Sequence, residues 1–125
     1  MLQTSGTARL ILGPVSKFEG DVNFNFPQVF LNGTTYVGLA TIEKNGATDN
    51  LGNGGNIFNK TTIINNTGSG YLMTGNGTAD QFYASTTFNN NGSNRFYFAH
   101  NHSGQTTTFT QDLTLNTNKT NKLNA

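Results

Sequence analysis

With 125 residues, an apolar fraction of 34% and only 10% charged residues, the chain suits one domain but lacks the side chains of a conventional central core. Its formal net charge is +1 and its basic residues are scattered from Arg9 to Lys122, so there is no footprint for nucleic acid; no apolar run approaches the ~20 residues of a membrane helix. Disorder is also excluded, because 20 Asn and 20 Thr come with 10 Phe and 4 Tyr, whereas disordered chains are charged and short of aromatics.

From the start, Leu2 to Gly13 reads in the same frame as Ile64 to Gly75 and Phe88 to Ala99. Each has an apolar residue, a glycine four positions on, and then an alternating run beginning at Arg9, Tyr71 or Arg95. In this alignment Leu2 takes the place of Ile64, so the chain is expected to begin inside a repeat. A second phrase opens on an aromatic, followed after three residues by two inward positions one residue apart. Its instances are Phe18 with Val22/Phe24, Tyr36 with Ala40/Ile42, Phe58 with Thr62/Ile64, Phe82 with Thr86/Phe88 and Phe109 with Leu113/Leu115. The opening aromatics lie 18, 22, 24 and 27 residues apart, about the length of one solenoid coil.

Within each unit the inward pairs predict a first short strand, with Gly68 and Gly92 marking the turns that follow. A second strand is predicted with Leu72/Thr74 and Phe96/Phe98 facing inward. Pro27 stands where the first unit should turn, and 45–55 is expected to replace a second strand with a protruding glycine-rich loop. Helical periodicity occurs nowhere. The expected fold is all-β: a single parallel β-solenoid over 1–125, right-handed, of about five coils.

Parallel stacking brings like residues together. Phe18, Tyr36, Phe58, Phe82 and Phe109 should form an aromatic column, and Asn25, Asn65, Asn89 and Asn116 a ladder of amides at a turn. Outward positions of the second strand read Arg9/Tyr71/Arg95 and Ile11/Met73/Tyr97, a stripe whose aromatics and arginines suit sugar faces or a protein partner. Asp49 to Asn56 offers oxygens to calcium with a single charge, weighed against a flexible turn. His100 and His102 form a metal-like pair with no third ligand nearby, so no cofactor is expected. Asp112 and Glu19 find no facing carboxylate of the kind glycoside hydrolysis requires, and the chain is not expected to be an enzyme. The outward threonines Thr41, Thr87 and Thr114 are interrupted by Asn23 and Ile63.

The stretch from Phe58 through Thr62, Ile64 and Gly68 to Leu72, and Glu43 to Asn50 ahead of Gly54 to Phe58, resembles the repeats of very large secreted surface proteins of Bacteroidetes bacteria. That resemblance implies export, commonly by the type IX route, and service as an adhesin, stalk or filament; it brings no catalytic residues. The expectation is therefore an extracellular or cell-surface structural or adhesive segment. Its partners would be flanking repeats or other copies, stacked end to end through 2–13 and 109–123, and surface glycans. The alternatives are a carbohydrate-binding or carbohydrate-processing β-helix and a phage or bacterial fibre segment.

Overall fold

In the computed structural model, residues 1–98, 104–118 and 123–124 are described; His100, His102, Lys119 and Lys122 lie outside the described residues. Every strand pairing is parallel, and the described residues contain no helix. The chain is a β-solenoid of about five coils with three walls. The first wall is a six-stranded sheet of Leu2–Ser5, Val22–Phe26, Ala40–Lys44, Thr62–Asn66, Thr86–Asn90 and Leu113–Thr117. The second is built from Arg9–Leu12 with Gln28–Leu31, and from Asn50–Leu51, Leu72–Met73, Phe96–Tyr97 and Leu123–Asn124. The third has five two-residue strands, Lys17–Phe18, Thr35–Tyr36, Ile57–Phe58, Gln81–Phe82 and Thr108–Phe109.

Alternation with period two builds the first wall. Ala40, Ile42 and Lys44 are buried while Thr41 and Glu43 are partly exposed, and the same pattern recurs in Thr62–Asn66 and Thr86–Asn90. Val22, Ala40, Thr62, Thr86 and Leu113 stand in one column and Phe24, Ile42, Ile64, Phe88 and Leu115 in the next. Two details depart from the sequence reading. Leu2 pairs with Val22, so it takes the place of Thr62, and Thr4 takes that of Ile64. The first two coils turn early, in six residues from Thr4 to inward Leu10 and five from Phe24 to Val29 against eight from Ile64 to Leu72, which is why a fixed frame slipped. Leu115 is 44% exposed on the last rung, where the inward face has no further rung described beneath it.

The opening aromatics meet in register: Phe18 with Tyr36, Tyr36 with Phe58, Phe58 with Phe82 and Phe82 with Phe109. The inner three rings lie 4.6 and 4.7 Å apart, within 3° of parallel. Rung spacing is about 4.8 Å, wider than the ~3.5 to 4 Å of carbon contact, so the rings lean into offset stacks. Side chains from the first wall close the interior edge-on, with Phe88 meeting Phe82 at 5.6 Å and 80°. The second wall adds Phe96 and Phe98 against Phe88. Phe18 and Phe109, at the two ends, are only partly buried.

The amide ladder exists, but inside strands. Asn25, Glu43, Asn65, Asn89 and Asn116 form one outward column of the first wall, where Asn89 Nδ2 donates to Asn65 Oδ1 at 2.7 Å and Asn116 Nδ2 to Asn89 Oδ1 at 2.8 Å. The segment 45–55 does not protrude either. Asn50 and Leu51 form a strand on Leu72 and Met73, and Gly52 and Gly54 are buried between rungs. The glycines there permit close backbone approach between coils.

The interior carries a second polar ladder, which includes the buried Asp80, and a buried lysine. Thr34, Asn56, Asp80 and Thr107 each precede a third-wall strand. Asn56 Oδ1 accepts from Thr34 N, Asp80 Oδ1 from Asn56 N and Thr107 Oγ1 from Asp80 N, so side chains satisfy backbone donors at each corner. At another corner Lys44, fully buried, stands in the column of Asn66 and Asn90. Its Nζ donates to Gly46 O at 2.6 Å and Gly70 O at 3.3 Å, the latter also accepting from Asn66 Nδ2.

Desolvation lowers the Lys44 pKa below its ordinary 10.5, with Asp49 acting weakly the other way. Between the lowered value and 10.5 the unfolded chain holds a proton that the folded chain has released, so stability rises with pH across that window. Tyr36 acts oppositely. Burial pushes its hydroxyl far above 10, eased in part by Thr34 and reinforced to a smaller extent by the Asp80 carboxylate, so folded chains keep a proton that unfolded ones lose above pH 10. Urea unfolding of wild type and Lys44→Met from pH 7 to 10 separates the two. Wild type is expected to gain stability relative to the variant as pH rises; a pH-independent difference would contradict the buried ammonium.

Candidate functional site

The outer face of the second wall carries two exposed apolar side chains, Ile11 and Leu51, among half-buried aromatics. In its strands Leu10, Leu12, Val29, Leu31, Leu72 and Phe96 point into the core, so the alternate residues face out. Ile11 pairs with Phe30, and Leu51 with Met73 and Met73 with Tyr97, in two outward runs. The two sheets of this wall are joined where backbone pairing lapses: Gln28 Nε2 donates to Asp49 O and Asn50 Nδ2 to Val29 O, both at 2.8 Å. These bonds set the two outward runs side by side on one wall.

Of the residues expected to bind, Arg9, Tyr71, Arg95 and Tyr97 lie on this face, Arg9 and Arg95 exposed and both tyrosines partly so. Met73 is the exception. It stands between Leu51 and Tyr97 on the adjoining rungs, yet only 6% of it is accessible. Two residues of the stripe escaped the sequence reading, Phe30 and Leu51; Leu51 is 44% and Ile11 55% exposed. The signal for Phe30 was its place between inward Val29 and Leu31. Leu51 was hidden by the glycines around it.

At the lower end the geometry tightens. The Tyr71 and Tyr97 rings meet edge to face at 5.8 Å and 89°, and Arg95 Nη1 donates to Tyr97 Oη at 3.1 Å, which raises the Arg95 pKa above its ordinary value. Two perpendicular aromatic faces beside a fixed guanidinium can stack on a sugar's apolar face and donate to its hydroxyls.

The acids are occupied elsewhere. Asp49 Oδ1 accepts from Tyr71 N at 2.8 Å, Asp21 Oδ1 from Leu39 N at 2.9 Å, and Glu43 from the Thr67 hydroxyl at 2.8 Å. Glu19 pairs with Lys17 at 2.7 Å on the surface. Among the described residues no three His, Cys, Asp or Glu side chains converge on a point that could hold a metal. A groove of about 400 Å³ opens beside Pro14, Val15, Asn32, Gly33, Gly54 and Thr78. Fold and surface together define a parallel β-solenoid with one apolar, tyrosine- and arginine-bearing stripe. No known protein family's profile, no curated protein and no solved structure matches the chain.

Proposed function

We propose that the chain is a structural or adhesive segment of an extracellular, cell-surface protein, a stiff rod that presents its second-wall stripe to surface glycans. The observation that carries the reading is the stripe itself: Ile11, Phe30, Leu51 and Tyr97 face outward on a scaffold held in register by parallel rungs. Exposed apolar stripes of this kind mark interaction surfaces. The phrase-level resemblance to Bacteroidetes surface repeats points the same way, and the reading includes no catalysis.

The carbohydrate alternative is favoured by the Tyr71, Tyr97 and Arg95 cluster and enters as the ligand class of the adhesin rather than as an enzyme. Further rungs, of the same chain or another copy, are the second partner, because Leu2 is 47% and Leu115 44% exposed on edge strands. A glycan array tests the first partner. Tyr71→Ala is expected to weaken a wild-type hit by about tenfold, the ~1.4 kcal/mol that an aromatic stacking contact supplies. Tyr83→Ala, on the third wall, should leave binding unchanged. Absence of any wild-type hit, or equal loss in both variants, would overturn the glycan reading. Sedimentation of the same chain tests the second: self-association should grow with concentration and weaken in Leu115→Lys, and a concentration-independent monomer would count against stacking.

A further inference from the structure

Five asparagines precede glycine: Asn32, Asn45, Asn53, Asn76 and Asn91. This pairing carries an intrinsic reaction, because a glycine has no side chain to keep its backbone nitrogen from the preceding side-chain amide. The glycine nitrogen attacks Asn Cγ, the new N–Cγ bond forms, and the Cγ–Nδ2 bond breaks. Ammonia leaves, carrying the proton given up by the glycine nitrogen. Water then opens the resulting five-membered imide to aspartate or to its β-linked isomer. The attacking N–H must first be released from any hydrogen bond it makes.

In four of the pairs the solenoid ties that N–H to a neighbouring coil. Gly33 N donates to Gly54 O at 2.9 Å, Gly46 N to Pro27 O at 3.2 Å, Gly54 N to Leu31 O at 3.3 Å and Gly92 N to Asn66 O at 2.8 Å. Gly77 differs. Its N–H makes no hydrogen bond with the described residues, it is exposed, and a Cβ there would find only Asn53 O within 4 Å, at 3.7 Å. Its φ is +103°, and the Asn76 backbone is held only from its other side, by Asn76 N donating to Gly52 O at 3.1 Å.

We infer that Asn76 is a self-modification site, where the folded chain converts asparagine to aspartate or isoaspartate while the other four Asn-Gly pairs are protected by their inter-coil bonds. The inference is independent of the adhesive reading. Its consequence is electrostatic: one added carboxylate takes the formal net charge from +1 to zero, where repulsion between copies is least.

The full chain, incubated at mildly alkaline pH, is followed by peptide mapping and mass spectrometry for exchange of ammonia for water. Folded, Asn76 is expected to convert at least about tenfold faster than any of the other four, since local opening that costs ~1.4 kcal/mol already slows a protected site by that factor. In denaturant the five should convert at comparable rates, and Asn76→Gln should remove the fast phase in the folded chain. Conversion of Asn45 or Asn91 as fast as Asn76 in the folded chain would overturn the proposal, as would an Asn76 no faster than the rest. A fast phase that survives in Asn76→Gln would place the reaction elsewhere and overturn it too.

Discussion

Phe58→Ala and Phe82→Ala are each expected to destabilise the chain by about 3 to 5 kcal/mol, the usual cost of emptying a buried aromatic site. Their side chains are 1% and 0% exposed and sit mid-column, each stacked on a ring above and below. Removing one ring uncovers two others and leaves a gap that the neighbouring rungs cannot close, because their spacing is set by backbone hydrogen bonds. Phe18→Ala and Phe109→Ala should cost less, since both rings are already partly exposed. Urea unfolding measures the series. A loss below ~1 kcal/mol for the mid-column variants would show that these rings contribute little, against the ~1.5 to 3 kcal/mol expected for burying a Phe.

Gly54→Ala is the second large effect, expected at about 3 kcal/mol or more from two additive sources. Gly54 has φ +81°, a conformation that L side chains rarely adopt. A Cβ there would overlap Thr78 O and stand 2.6 Å from Gly75 Cα, both on the next coil's backbone. Neither can retreat easily, because Gly54 bridges Asn32 on one side and Thr78 on the other. Gly13→Ala is the control, with nothing within 4 Å of its Cβ and no such φ, and should change stability by no more than ~0.5 kcal/mol. Comparable losses in the two variants would mean that the close approach at Gly54 is not what constrains it.

Much of the candidate face was legible in the sequence and part was not. Arg9, Tyr71, Arg95 and Tyr97 were placed by alternation alone, because a strand sends neighbouring side chains to opposite faces. Leu51 was missed because register across a glycine-rich turn depends on backbone angles that residue types only loosely specify, and Phe30 because its unit turns early at Pro27 and so falls outside the repeat frame. The corner ladder of Thr34, Asn56, Asp80 and Thr107 was present as a constant offset, two residues before each opening aromatic. Its polar, varied identities concealed it, since a search for buried positions looks for apolar residues. Lys44 was concealed likewise: only its hydrogen-bonded column with Asn66 and Asn90 shows why a lysine can sit inside.

By itself the sequence determined the repetition, the all-β parallel stack and the aromatic column. In a solenoid each residue's environment is decided by its position within a short unit, and that position is written locally in period-two alternation. The tertiary structure alone decided which coils turn early, whether 45–55 leaves the wall or joins it, and which outward residues stay exposed. Met73 and Leu51 show the reason. They occupy one column, yet one is 6% and the other 44% exposed; alternation sets only which face a side chain takes, not how much of it neighbours distant in the chain will cover.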